Sequence, residues 1–184
     1  ELTDYAIPAE NALGPAGDGL RIALGTLVSG RLSVAAGCLG VIEDCLAEAV
    51  AYARTRHQHG KPLARHQLVQ EHIAAIEMAR LTTESVVLRA AEAKDASDAD
   101  PGDDALRARA DLLAAQAKLH ASGAAWEAAD RAVQVFGGRG FLQEFRPGRH
   151  LQDVRVCRIY EGTDEILTLK VAAAVLGKEF EAYQ

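Results

Sequence analysis

The sequence predicts an all-α fold, an antiparallel bundle of about four or five helices with long members, and three observations carry that prediction. Alanine, the strongest helix former and small enough to let helices approach closely, is abundant in several long blocks. Apolar residues recur at intervals of three, four and seven over long stretches, the period of one face of a helix. The five prolines, Pro8, Pro15, Pro62, Pro101 and Pro147, fall in or beside stretches that read as connections.

Taken in order, residues 1–16 stand apart. Leu2-Thr-Asp-Tyr-Ala-Ile-Pro8 alternates weakly and turns at Asn11 and Gly14, reading as the tail of a strand or linker entering from another domain. Residues 17–184 read as the helical domain. The first helix is expected from about Gly17 to Arg56, with Leu20, Leu24, Leu27, Arg31, Val34, Val41 and Val50 in one broad stripe. The second is expected from about Ala64 to Lys94, with Leu68, Ile73, Ile76, Thr83 and Val87 inward. Asp95-Ala-Ser-Asp-Ala-Asp-Pro-Gly102 is polar and turn-rich and reads as a solvated loop. A third helix spans roughly Asp103 to Val135, its Ala114, Ala117, Ala121, Ala124, Ala128 and Ala132 implying close packing. Shorter helices are expected around Arg149–Ile159 and Thr163–Leu176, and strand signals are weak after residue 16.

Composition excludes several functions. At 184 residues, 49 % hydrophobic and 25 % charged, the chain is ordinary for one globular domain. Net charge is −6 with Lys and Arg scattered, so no basic face for nucleic acid is visible. No apolar run is seen to approach the ~20 residues of a bilayer span, and no signal segment is evident. Cys38, Cys45 and Cys157 match no zinc spacing, so no metal is expected, and a reducing, cytoplasmic setting is the default.

Three stretches interrupt the helical pattern. Arg54-Thr-Arg56-His57-Gln58-His-Gly60-Lys-Pro62 is either basic capping of a helix C-terminus or an anion site in which arginine forks onto a phosphate. Gln134-Val135-Phe136-Gly137-Gly138-Arg-Gly140-Phe141 follows a helix rather than a strand, so spacing alone favours a flexible helix end over a phosphate cradle. In Arg158-Ile-Tyr160-Glu161-Gly162-Thr163-Asp164-Glu165-Ile166, capping explains Thr163 or Asp164, and the dipole of the following helix explains the acids. Capping leaves Glu161 unexplained. A carboxylate in a tight inter-helix turn walled by apolar groups is a stronger base than a solvated one.

Together these stretches resemble the acyl-CoA dehydrogenase family. Tyr160-Glu161-Gly162-Thr163 with Ile166 resembles its terminal motif, and Arg56-His-Gln-His-Gly60-Lys61 with His66-Gln67 resembles its Arg-x-x-Phe-Gly segment. Gln134-Val-Phe-Gly-Gly138 resembles the stretch preceding the catalytic motif, and Arg31-Leu-Ser-Val-Ala-Ala-Gly37 the first helix. Pro8, Asn11, Gly14 and Gly19 resemble the exit from the family's middle β domain, so the likeness runs over about residues 1 to 177.

The resemblance implies a function and its residues. Glu161 would take the α-proton of an acyl-CoA thioester while the β-hydride goes to flavin N5 of FAD, with Gly162 and Arg31 at the substrate. A subset of the family carries the base one residue before that arginine, but Gly30 stands there, so no second carboxylate competes. Arg31 reads equally as the partner of a buried carboxylate. Arg56, His57, Gln58, His66 and Gln67 would contact FAD. Gln134, Val135, Phe136, Gly137 and Gly138 would reach FAD bound mainly by a neighbouring subunit. Thr163, Asp164 and Glu165 would meet FAD at a helix N-terminus. A homodimer or dimer of dimers, and an electron-transfer protein as acceptor, are then implied.

His59 replaces the usual phenylalanine, and Gln152-Asp153 the usual Arg-Asp pair, so a salt bridge is expected to be lost. The N-terminal helical and middle β domains are absent from the chain, which reads as a fragment poor at retaining FAD alone. An acyl-CoA oxidase of the same fold, and a catalytically idle oligomerisation or partner module, are the alternatives; Glu161 argues against the related monooxygenases.

Overall fold

The computed structural model describes residues 3–180. Five α-helices, α1 (Gly19–Thr55), α2 (Gln67–Ala99), α3 (Asp104–Phe136), α4 (Arg146–Arg155) and α5 (Asp164–Leu176), account for most of them. The connections after α1 and α2 make consecutive long helices antiparallel, so α1 and α3 run parallel, meeting at Arg31–Asp111 near their starts and Tyr52–Phe136 near their ends. α3 is central, packing on α1, α2, α4 and α5. Its Ala114, Ala117, Ala121, Ala128 and Ala132 are buried, so the alanine stripe makes the close packing expected of it. Asp103 starts the helix by accepting from the N–H groups of Ala105 (2.7 Å) and Leu106 (3.1 Å), two of the orphan donors of a first turn.

The inward face of α1 differs from the expected stripe. Arg31, Ala35, Cys38, Ile42, Cys45, Ala49 and Ala53 are buried, whereas Leu20 is 72 % exposed and Leu24 is also exposed. Apart from Arg31 and Ile42 this face is made of small residues, which suit close approach to the alanine-rich face of α3. Leu68 on α2 is likewise exposed, while Ile76, Thr83 and Val87 are inward as expected. Residues 95–99, read as loop, continue α2: Ser97 is buried and Lys94 pairs with Asp98 one turn on, so tertiary packing overrides turn-forming composition.

A two-residue hairpin follows α1, pairing β1 (His57–Gln58) with β2 (Lys61–Pro62) through left-handed His59 and Gly60, where no strand was expected. A further correction concerns α1 itself. By length and composition it can cross a membrane, with a mean hydropathy of 1.6 over its best window. Arg31 is the only charge from Ile22 to Ile42, and glycine, alanine and cysteine raise the average. In the bundle that stretch packs on α3 with Arg31 buried.

Candidate active site

α4 runs into a 3-10 turn, Val156–Arg158, which delivers Tyr160–Thr163 to the junction with α5. Thr163 caps α5, its hydroxyl accepting from Ile166 N–H (3.3 Å), so the expected helix start is correct. Just before it, Glu161 (φ +56°) and Gly162 (φ +96°) are successive left-handed residues. For Glu161 that conformation costs about 1–2 kcal/mol and persists only where surroundings impose it. Two buried cations meet this turn. Arg31, 7 % exposed, donates from Nε to the Glu161 carbonyl (3.0 Å) and from Nη1 to Asp111 (3.0 Å), whose other oxygen pairs with Lys170. Lys118, fully buried, donates to the Gly162 carbonyl (2.7 Å) and lies 3.7 Å from Asp164. Burial pulls the Lys118 ammonium below its ordinary pKa, with Asp164 opposing.

The Glu161 side chain turns back over α1. A Cβ built on Gly30 would lie 2.6 Å from Glu161 Oε2 and 2.8 Å from Oε1, so the carboxylate occupies the space that any larger residue would fill. Oε2 is buried without a hydrogen-bond partner among the described residues. An unpartnered buried oxygen is costly in a folded protein and marks a site held for another purpose. Tyr160 points elsewhere: its hydroxyl lies 3.4 Å from Cys157 Sγ, and that contact with burial pushes the phenol up to about 12. Asp164 turns inward onto Arg158 (2.5 Å), Ser122 (3.4 Å) and Lys118. Exposed Glu165 is held below the ordinary carboxylate range by hydrogen bonds from its own backbone and the Thr163 side chain.

A second cluster forms where α1 and α3 end. Tyr52 stacks on Phe136 (4.1 Å, 12°), and Phe136 meets Phe145 edge-on (5.7 Å), pinning the two helix ends together. Beside them Arg56, Gln58, Val135, Phe136, Gly137 and Gly138 line a cleft of about 490 Å³. Arg56 makes no ion pair among the described residues, and the space where a Gly138 Cβ would stand is open for 4 Å. Gln134 is exposed one residue before the cleft. His57 contacts the Thr55 carbonyl (3.1 Å), His66 the Gln58 carbonyl (3.3 Å), and exposed Gln67 begins α2. Arg31 and Arg56 are about 38 Å apart along α1, at 1.5 Å per residue. The predicted site residues therefore form two groups at distant parts of the bundle.

The sequence reading missed Lys118, Asp111, Lys170 and Arg158. Lys118 carried a signal: it stands among Ala114, Ala117 and Ala121, on the face that the alanine stripe assigns to the core. Of the two readings of Arg31, the ion pair with a carboxylate, Asp111, is observed. Asp153 makes no ion pair among the described residues; Asp44 instead pairs with Arg146 and His150.

Fold and turn together define a helical bundle in which, among the described residues, a glutamate at an inter-helix junction keeps one carboxylate oxygen buried and unpartnered. The family model for the acyl-CoA dehydrogenase C-terminal domain matches residues 17–176, and the chain belongs to that family. The short-chain-specific acyl-CoA dehydrogenase of Megasphaera elsdenii is 38 % identical over 94 % of the chain and 43 % of its own length. An acyl-CoA dehydrogenase of Bacillus anthracis complexed with FAD superposes with a TM-score of 0.88 at 30 % identity, over 97 % of this chain and 32 % of that one. A chain from the electron transferring flavoprotein of Acidaminococcus fermentans superposes with a TM-score of 0.83 at 34 % identity, over 92 % of this chain and 42 % of that one. The chain thus spans less than half the length of the curated relatives it matches.

Proposed function

We propose that the chain is the C-terminal part of an FAD-dependent acyl-CoA dehydrogenase in which Glu161 removes the α-proton of the thioester. One observation carries the reading: the Glu161 carboxylate stands over Gly30 with Oε2 buried and unpartnered. An α-proton is weakly acidic, so its base must be close, desolvated and free of a competing partner. Arg31 and the bend at Gly162 aim the carboxylate, and the thioester would lie beside Gly162.

The residues fit FAD. Arg56 has no competing carboxylate among the described residues and suits a phosphate, Gln58 and the open backbone at Gly137–Gly138 line the same cleft, and the α5 N-terminus favours negative charge. When bound, FAD supplies the acceptor for the β-hydride. The flavin residues at the start of α5 adjoin the turn that Arg31 holds, about 38 Å along α1 from Arg56, which supports a homo-oligomer whose flavin sites are shared between subunits. An electron-transfer protein is the proposed acceptor, and the similar chain from Acidaminococcus fermentans comes from an electron transferring flavoprotein. The free thiols Cys38, Cys45 and Cys157 support a reducing compartment, the cytosol.

The visible spectrum of the purified full-length protein, before and after adding short and medium acyl-CoAs without oxygen, tests this. A flavin band that bleaches with an acyl-CoA is expected. A colourless protein that takes up no FAD would overturn it in favour of an idle helical module. Hydrogen peroxide released on turnover in air would mark an oxidase.

A further inference from the structure

Two consecutive carbonyls of the left-handed turn are each held by a cation buried in the bundle. Arg31 holds that of Glu161 from α1, and Lys118 holds that of Gly162 from α3. The two sides of the turn are therefore fixed by different helices. Arg31 is anchored independently by Asp111. Lys118 stands among Ala114, Ala117 and Ala121, where an apolar side chain would serve packing alone, and a buried ammonium survives only with good acceptors. Its closest contact is the Gly162 carbonyl at 2.7 Å; Asp164 is a full ångström more distant, at 3.7 Å, and is already satisfied by Arg158 and Ser122.

We infer that Lys118 is a positioning residue of the active site: by holding the Gly162 carbonyl it fixes the Gly162–Thr163 peptide, next to the Glu161–Gly162 peptide that Arg31 holds, and so keeps the carboxylate over Gly30. This rests on the reading of Glu161 as the base. Without the ammonium, the Gly162–Thr163 peptide loses its anchor in α3, the turn is held by Arg31 alone, and it relaxes about that contact. The carboxylate then samples positions away from Gly30. A misplacement of about 1 Å in a reacting group can cost as much as 10²-fold in rate. Lys118 is fully buried, so it acts on substrate and flavin only through the turn it holds.

The test uses the full-length flavoenzyme and the rate of flavin reduction by acyl-CoA without oxygen, measured against acyl-CoA concentration. Lys118→Met, which keeps length and removes the donor, is expected to lower the limiting reduction rate about 10–10²-fold. The acyl-CoA Kd and flavin content should stay within about threefold. Lys118→Gln, shorter but still polar, is expected to fall between Met and the parent, and decides the matter if the Met variant does not fold. Ser122→Ala, which loses the 3.4 Å contacts with Asp164 and the Leu119 carbonyl, should change thermal stability and not the rate. A folded Met variant with a reduction rate within twofold of the parent, or a Gln variant that equals the parent where Met does not fold, overturns the inference. A lysine needed only for stability would lower Tm and leave the rate of the folded protein unchanged. Failure of the parent itself to be reduced would sink the dehydrogenase reading instead.

Discussion

Replacing Gly30 by alanine puts a methyl group where the Glu161 carboxylate now lies, and the geometry gives the size of the effect. The new Cβ would stand 2.6 Å from Oε2, 2.7 Å from Cδ and 2.8 Å from Oε1. Ordinary contact begins at 3.4 Å, so the carboxylate must retreat by about 0.8 Å, the difference between 3.4 and 2.6 Å. The obstacle is the far end of a side chain, so the backbone need not move. In stability the change is favourable, because Gly30 lies inside α1 and alanine is preferred in a helix by about 0.8–1 kcal/mol. In a protein of this size that raises Tm by about 2–4 °C. In activity it is costly, about 10–10²-fold if misplacing a reacting group by roughly 1 Å has its usual effect. Stability and rate therefore move in opposite directions, which distinguishes displacement of the base from general damage. Thermal melting and anaerobic flavin reduction of the full-length Gly30→Ala variant read the two separately. A variant that keeps the parent's rate, or that melts well below it, would refute the reasoning.

Two further outcomes concern the supports of the site. Thr163→Ala removes the hydroxyl that accepts from Ile166 N–H and should cost about 1 kcal/mol, lowering Tm by a few degrees; an unchanged melting curve would deny the cap a role. Asp44 ties α1 to α4 through Arg146 (2.6 Å) and His150 (2.7 Å). Burial raises its carboxyl, but hydrogen bonds from His150 and Arg146 outweigh that and hold it below its ordinary value of 3.8. A carboxylate lowered in the folded state stabilises above its unfolded pKa, and that contribution is lost as pH falls through the folded one. The parent should thus lose stability below about pH 3.8, and Asp44→Asn should show a shallower acid limb in Tm against pH. Parallel acid limbs would contradict this.

The long helices were legible because alanine blocks and proline punctuation are local signals. Both the Thr163 cap and the buried alanines of α3 stand where the sequence put them. The inward face of α1 was not legible. A stripe of leucines looks like a core face until the partner is known to be an alanine ridge that suits small residues. The helical run through 95–99 depends on burial of Ser97, which turn-forming composition conceals. Glu161 stood out because capping explained its neighbours and left it without a role. Its holders did not: Lys118 lies 43 positions away in sequence, and its contact with Gly162 exists only once α3 and the turn are packed.

The most direct test of the account is Glu161→Gln in the full-length protein, which keeps the shape of the side chain and removes the base. Anaerobic flavin reduction by acyl-CoA should slow by about 10²–10⁴-fold, with FAD content and acyl-CoA binding close to the parent's. Reduction within a few-fold of the parent's rate would contradict the assignment of Glu161 as the base.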